Sequence, residues 1–354
     1  MTTHVHKGRG AVSAPLGRFD QRPVELEPEA AHEKAGQIPQ TVLRAMRAGQ
    51  IISSNNSPDV PFDRSINPYQ GCEHGCVYCY ARPSHSYLDL SPGLDFETQI
   101  FYKPNGATRL LEEWEKKSYE CKPITIGANT DPYQPAEKTL EITRQLLEQF
   151  VRYRHPVNLI TKSHLIARDL DLLTDLAADN LCSVAISIPT MNDNLKRLLE
   201  PRVPSASSRL KAMQLLAENG IPTSALLAPV IPAINDNEIE SILEAVAGAG
   251  ARQAQYIFLR LPHELLEIFS AWLETHFPDR KERVLSLVRQ ASGGRHYDAR
   301  FGIRQTGRGA YADMLASRFR AASRKLGLAA DSYQHPLDCS RFSRPGAQQL
   351  GLDF

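Results

Sequence analysis

Val157-Asn158-Leu159-Ile160-Thr161 and Ser183-Val184-Ala185-Ile186-Ser187-Ile188 bracket an amphipathic run from Ile166 to Ala178. Each flanking stretch is short, β-branched and free of charge, as a strand covered on both faces is. The run between them repeats apolar residues at helical spacing. Strand, helix and strand joined by short connections form a right-handed β-α-β unit. Reading outward, the same rhythm continues in both directions. Strands are predicted at Ser65-Ile66-Asn67, Ile124-Thr125-Ile126-Gly127, Thr223 to Ala228 and Gln255 to Arg260. Helices are predicted at Lys138 to Arg152, Ser205 to Asn219 and Asp236 to Ala249, the first carrying Leu140, Leu146, Leu147 and Phe150 on one face. Asn219-Gly220 and Ala249-Gly250 are helix-ending signals. Six such units make an α/β fold, a partial (β/α)6 TIM-like barrel. An open Rossmann-type sheet is the alternative, but no G-x-G-x-x-G follows the first strand. An extra segment, Gln99 to Lys103 with a helix near Ala107 to Lys117, interrupts the rhythm.

Around this core lie two extensions, giving boundaries at 1–60, 61–262 and 263–354. Residues 1–60 are rich in proline, glycine and charge and read as a flexible lead-in, with one helix from Thr41 to Arg47 and a linker at Ser53 to Pro58. An arm packed over the site is the functional alternative. Beyond Pro262 the chain reads as helices at Glu264 to His276, Arg280 to Gln290 and Ala310 to Lys325. From Ala291 to Pro345 this helical extension holds ten arginines and lysines against four aspartates. Arg295, Arg300, Arg304 and Arg308 interleave with Tyr297 and Phe301, a mixture that can track phosphates and stack bases or simply form a solvated surface.

Lysine plus arginine (41) nearly cancels aspartate plus glutamate (40), so net charge selects no partner. No apolar run approaches a membrane span and residues 1–7 lack a hydrophobic signal core, so a cytoplasmic protein is expected. A reducing compartment also suits thiolates used as ligands.

Three of the six cysteines stand together in Gly71-Cys72-Glu73-His74-Gly75-Cys76-Val77-Tyr78-Cys79-Tyr80. The spacing is C-x3-C-x2-C, directly after the first barrel strand. Three convergent thiolates fall one short of the four that saturate a four-iron cluster, leaving one iron open. A structural zinc site completed by His74 or a distant cysteine is the other reading, though no second C-x2-C or H-x3-H half follows. Cys121, Cys182 and Cys339 are isolated in sequence.

Barrel chemistry gathers where strands end. After the second strand comes Ala128-Asn129-Thr130-Asp131-Pro132-Tyr133-Gln134-Pro135-Ala136-Glu137, polar and held by two prolines. Lys162 follows the third strand and Ser187 ends the fourth. Together these groups could surround an amino acid moiety, lysine facing its carboxylate and hydroxyls or carboxylates facing its ammonium. Glu200-Pro201-Arg202, Ala228 to Pro232 and Arg260 end the later strands. Arg202 and Arg260 are candidates for an anionic substrate or for ordinary ion pairs.

The cysteine spacing, with an aromatic residue before the third cysteine, resembles the signature of the radical S-adenosylmethionine (radical SAM) superfamily. The resemblance implies the partial barrel. It also implies a [4Fe-4S] cluster on Cys72, Cys76 and Cys79, S-adenosyl-L-methionine as second cofactor, and an external reductant of flavodoxin or ferredoxin type. Tyr78 would lie near the adenine, Thr130 near the amino group, and Lys162 and Ser187 near the carboxylate. The Thr130-Asp131-Pro132-Tyr133-Gln134-Pro135-x-Glu137 segment looks like the subgroup of spore photoproduct lyase and its DNA repair photolyase-like relatives, over roughly residues 60 to 260. That places Asp131 and Glu137 among the cofactor-binding candidates and admits a nucleic acid base as substrate. The sequence departs from the lyase where the latter carries a hydrogen-donor cysteine: here Ala128-Asn129 stand, and Cys121 lies before the strand. The competing reading is a non-catalytic zinc or iron-sulfur protein binding nucleic acid through its arginine-rich C-terminal region.

Overall fold

The computed structural model describes residues 5–19, 39–330 and 332–345. Six parallel strands form the barrel wall: β3 (Arg64–Ile66), β6 (Ile124–Ile126), β7 (Val157–Thr161), β8 (Cys182–Ser187), β9 (Thr223–Val230) and β10 (Gln253–Phe258). They pair in chain order, as successive right-handed units require. A seventh strand, β2 (Ile52–Ser54), adds antiparallel to β3 and ends the sheet at one edge. The barrel is therefore open between β2 and β10.

That seam is bridged by loops. Phe258 N donates to Gln305 O at 2.7 Å, which fastens the 302–305 segment to β10. Gly302 N donates to Asp59 Oδ1 at 2.5 Å, and the Arg304 guanidinium pairs with Asp59 and Ser57, which fastens the same segment to the loop after β2.

The barrel interior mixes an apolar cluster of Ala185, Leu226 and Tyr333 with a polar level below it. Thr125, Asn158 and Ser183 sit at the same level on β6, β7 and β8 and are all buried. Buried polar groups need partners. Gln334 supplies them from the C-terminal segment: its Nε2 donates to Thr125 Oγ1 at 2.8 Å, and its Oε1 accepts from Asn158 Nδ2 at 3.3 Å. Ser183 Oγ in turn donates to Asn158 Oδ1 at 2.5 Å. The segment after Ser332 thus reaches into the barrel, with Gln334 bonded to β6 and β7.

A second sheet of three strands stands beside the barrel: β1 (Val42–Ala45), β5 (Gln99–Tyr102) and β4 (Tyr69–Gln70), in the order β1-β5-β4. The helix expected at Thr41 to Arg47 is this β1, paired in parallel with β5 through Val42 opposite Gln99. All four β1 residues are exposed, so no burial pattern marked it; strand pairing overrides the helix propensity of Leu43, Arg44 and Ala45. The linker expected at Ser53 to Pro58 begins with β2.

The helix expected from Lys138 to Arg152 is broken at Glu141, whose φ is 51°. Glu137 causes the break. Its carboxylate accepts from Thr143 N at 3.0–3.1 Å and Arg144 N at 3.3 Å, capping a new helix, Ile142–Tyr153. The other barrel helices stand close to expectation: Leu170–Ala178 after a 3-10 turn, Ala206–Glu218 and Ile239–Gly248. The C-terminal helices are Leu265–His276, Pro278–Ala291 and Ala310–Lys325. No helix among the described residues is long and apolar enough to cross a membrane.

The lead-in is not loose where it is described. Ala11 and Val12 are buried, and Arg9 reaches Glu97 O at 2.8 Å and Pro39 O at 2.7 Å. Calls that fall on residues 20–38 lie outside the described residues.

Candidate active site

The cysteine loop follows β4 and leads into a 3-10 helix, Arg82–Leu88, and it is held by hydrogen bonds to its backbone from four directions. Cys72 N donates to Phe96 O at 2.9 Å, Glu73 N to Gln134 Oε1 at 2.9 Å, Val77 N to Leu199 O at 3.0 Å, and Arg202 N to His74 O at 3.3 Å. Gly75 has a φ of 68°, and a Cβ there would meet Glu97 Oε2 at 2.7 Å, so both conformation and space select glycine.

Beneath the loop lies a charge network with almost no solvent. Arg82 is fully buried. Its guanidinium donates to Cys76 O at 2.9 Å, Gly93 O at 2.8 Å and Glu97 Oε1 at 2.5 Å. The same Glu97 carboxylate accepts from Ala11 N at 2.8 Å and Gly10 N at 3.0 Å. The N-terminal arm is therefore tied through Glu97 and Arg82 to the backbone of the second cysteine. This is the packed-arm alternative of the sequence, in place of a flexible lead-in, for residues 9–13.

Cys72, Cys76 and Cys79 all line one cavity of about 570 Å³ at the C-terminal end of the strands. Tyr78, Thr130, Asp131, Lys162 and Ser187 line it too. Glu137 does not: its carboxylate is fully buried and holds the Tyr69 hydroxyl, the Thr143 and Arg144 amides and Arg168 Nη2 at 2.8 Å.

Lys162 Nζ donates to Ser187 Oγ at 2.8 Å, so these two groups from adjacent strand ends present one positive, hydrogen-bonding corner. Thr130 Oγ1 donates to Tyr69 O at 2.8 Å and keeps its lone pairs as acceptors. Asp131 is fully engaged: it accepts from Thr161 Oγ1 and Lys162 N at 2.7 Å and from Tyr133 N at 2.9 Å, and its Oδ2 lies 3.3 Å from His74 Nδ1. It knots two strand ends to the cysteine loop. Burial works against the charge on His74, but Asp131 and Cys72 outweigh it and lift the imidazole to about 10. His74 is thus committed to a carboxylate, which leaves it a poor fourth zinc ligand. Among the described residues no three His, Cys, Asp or Glu side chains converge on a single metal ion.

Tyr78 is buried with its hydroxyl on Glu200 Oε1, and Glu200 also accepts from Arg209 Nη2 at 2.6 Å. Burial would raise Glu200, but Arg209 and Lys162 hold it below the usual range. Burial first, then Glu200 and the two neighbouring thiols, push Cys76 upward. A cationic metal centre would reverse that balance. The donor chemistry suits an iron-sulfur cluster: three thiols face one cavity, no fourth cysteine lines it, and a lysine and hydroxyls stand opposite.

Sequence reasoning missed partners distant in the chain. Tyr78 and Glu200 are 122 residues apart, and Arg82 and Glu97 carried no motif. Arg202 is an ordinary ion pair, to Glu73 at 3.1 Å; Arg260 has no ion pair among the described residues and lines the cavity. In the arginine-rich segment, Arg300 is held by Asp298 at 2.6 Å and Arg304 by Asp59, so neither is a free phosphate contact. Cys121 lies away from the cavity beside Cys339; burial and that neighbour push it up to about 12.

Residues 66–246 match the family model of the radical SAM superfamily. An uncharacterised protein of Mycobacterium tuberculosis is 33% identical over 237 residues, covering 66% of this chain and 70% of its own length. One from Methanocaldococcus jannaschii is 29% identical, covering 62% and 78%. A radical SAM Nα-GlyT isomerase of Pseudomonas phage M6 is 25% identical, covering 64% of this chain and 46% of its own length. In fold, the chain is similar to spore photoproduct lyase complexed with dinucleoside spore photoproduct, with a TM-score of 0.59, 16% identity and 82% of each chain covered. A form of that lyase with bound AdoMet and the same dinucleoside gives 0.59 and 16% over 89% and 88%. The thiol-lined cavity at the strand ends, the parallel six-strand wall and a family match spanning half the chain lead to one conclusion: this protein belongs to the radical SAM superfamily.

Proposed function

We propose that Cys72, Cys76 and Cys79 hold a [4Fe-4S] cluster with one open iron, and that SAM binds there to initiate hydrogen abstraction from a thymine-type base of a nucleic acid. The protein is a radical SAM enzyme, and the family implies an iron-sulfur cluster and SAM. The observation that carries the finer reading is the shared cavity: three thiols on one wall, with Lys162 and Ser187 bonded to each other on the facing strand ends. When bound and reduced, the cluster would supply the electron for reductive cleavage of SAM, the source of the hydrogen-abstracting radical chemistry.

The chain's own residues bind and orient. Lys162 offers an ammonium to a carboxylate, with Ser187 completing the contact. Thr130 offers a hydroxyl acceptor to an ammonium. Tyr78, fixed by Glu200, walls the cavity near the third cysteine. Asp131 and Glu137 act as positioning residues that hold the strand-end loops. The buried Arg82–Glu97 layer keeps water from the loop's underside. An external one-electron donor is required, of flavodoxin or ferredoxin type.

The substrate class draws support from two similar proteins, one named for a GlyT isomerase and one bound to a dinucleoside photoproduct. Ala128 and Asn129 line the cavity without a thiol, so dimer reversal through a cysteine hydrogen donor is not the reaction proposed. The test is an anaerobic incubation with SAM, dithionite and DNA whose thymidines carry deuterium. Deuterium in 5'-deoxyadenosine, with several-fold more product than without DNA, is expected. No DNA-dependent rise and no label transfer would overturn the substrate class.

A further inference from the structure

We infer that Arg260 is the anion-recognition residue of the cavity and grips a phosphate of the substrate; this rests on the nucleic-acid reading above and names the handle by which the cavity holds it.

Arg260 follows β10 and lines the same cavity as the three thiols. Its guanidinium carbon lies 5.1 Å from the centroid of the Tyr80 ring, and the Tyr80 hydroxyl is fixed to Ala128 O. It carries no ion pair among the described residues, and its Nε is buried without a hydrogen-bond partner. A guanidinium held by a ring face keeps its in-plane N–H donors free, and those donors match the paired oxygens of a phosphate. Every other charged group lining the cavity is engaged. Lys162 holds Ser187, Arg304 holds Asp59 and Ser57, and Asp131 holds Thr161, the Lys162 amide and His74. Among the described residues two cations of the lining, His74 and Arg260, have a buried N–H without a hydrogen-bond partner, and only Arg260 has no carboxylate beside it, since His74 Nδ1 lies 3.3 Å from Asp131 Oδ2. Lys162, Arg260 and Arg304 face a single lining carboxylate, Asp131, so the cavity wall favours an anion beyond the carboxylate assigned to Lys162.

The source of that phosphate is a free nucleotide or a nucleic acid strand, and the experiment separates them. Reconstituted holoenzyme with SAM and no reductant would be titrated calorimetrically with thymidine, thymidine 5'-monophosphate and a thymidine trinucleotide. We expect at least tenfold tighter binding of a phosphorylated ligand than of thymidine. R260Q should remove that preference, R260K should retain part of it, and R318Q, on a distant surface ion pair with Glu240, should keep all of it. The tighter of the two phosphorylated probes identifies the source. An undiminished preference in R260Q, or none in the unmodified protein, would overturn the inference. The EPR response to SAM of dithionite-reduced R260Q from the same preparation, recorded with and without SAM, keeps the two claims apart. A retained response with lost phosphate preference supports both. Loss of that response in the unmodified protein would strike the cofactor reading, while the phosphate preference would still decide the role of Arg260.

Discussion

The two ends of the barrel are held together by different physics. At the C-terminal end, the cysteine loop rests on fully buried ion pairs: Arg82 with Glu97 at 2.5 Å and Arg209 with Glu200 at 2.6 Å. At the opposite end, where β6 and β7 begin, the chain is closed by rings. Trp114 stacks on His155 at 4.5 Å and 9°, and meets Phe150 edge-on at 5.0 Å, with Tyr153 and Phe342 around them. Apolar packing fixes elements that bring regular faces together. A loop that curves around a cofactor has no such face, and its exposed carbonyls and amides need directed partners. Arg82 reaches the carbonyls of Cys76, Pro92 and Gly93 for this reason. Buried pairs of this kind contribute little net stability against an apolar substitute, but breaking one leaves an uncompensated charge.

The largest contrast is expected from Glu97→Ala. It strands the Arg82 guanidinium and releases the amides of Gly10 and Ala11, so unfolding free energy should fall by about 3–5 kcal/mol and iron incorporation should fall with it. Chemical denaturation and an iron assay would measure both. Trp114→Ala should cost a comparable 3–5 kcal/mol or so, yet leave iron content per folded molecule unchanged. If the Trp114 variant loses iron equally, the division between the ends is wrong. Lys162→Met should shift denaturation midpoints little while weakening SAM binding about tenfold, in line with loss of one charge-assisted hydrogen bond; unchanged SAM affinity would remove Lys162 from the cofactor corner.

The last contrast is a pH slope at the aromatic end. His155 accepts from the Tyr119 hydroxyl at 2.8 Å and bonds Pro156 O at 2.9 Å through its other nitrogen, so it sits neutral. Burial holds its pKa down to about 3. Between about 6.5 and 3 the unfolded chain takes a proton there and the folded one does not, so stability falls as pH drops through that window. The slope should be at most about 1.4 kcal/mol per pH unit, and His155→Gln should flatten it. An unchanged acid limb in His155→Gln would place the sensitivity elsewhere.

The same division explains what the sequence disclosed. β7, β8 and their helices were legible because buried strands and amphipathic helices leave periodic traces. That Thr130, Lys162 and Ser187 line one cavity is legible because each follows or ends a barrel strand that can be counted, and the three cysteines are legible through their spacing. β1 was not: Val42–Ala45 is exposed on every residue and exists only through its pairing with β5. Glu137 is a cofactor-binding candidate only because it closes the motif; in the structure it caps the helix that begins at Ile142 and holds Tyr69. The Arg82–Glu97 ion pair and the Tyr78–Glu200 hydrogen bond leave no trace because a buried polar pair has no periodicity and its partners need not be neighbours in the chain. Arg260 was noticed as a charge at a strand end, but only the structure separates it from Arg202, which Glu73 neutralises.

The most direct test of the central claim is anaerobic. The protein would be reconstituted with iron and sulfide, reduced, and its low-temperature EPR signal recorded with and without SAM beside a Cys76→Ala variant. A four-iron signal that shifts on adding SAM, with 5'-deoxyadenosine formed by the unmodified protein and abolished in Cys76→Ala, is the result predicted. A tightly bound zinc, or a reduced cluster indifferent to SAM, would contradict it.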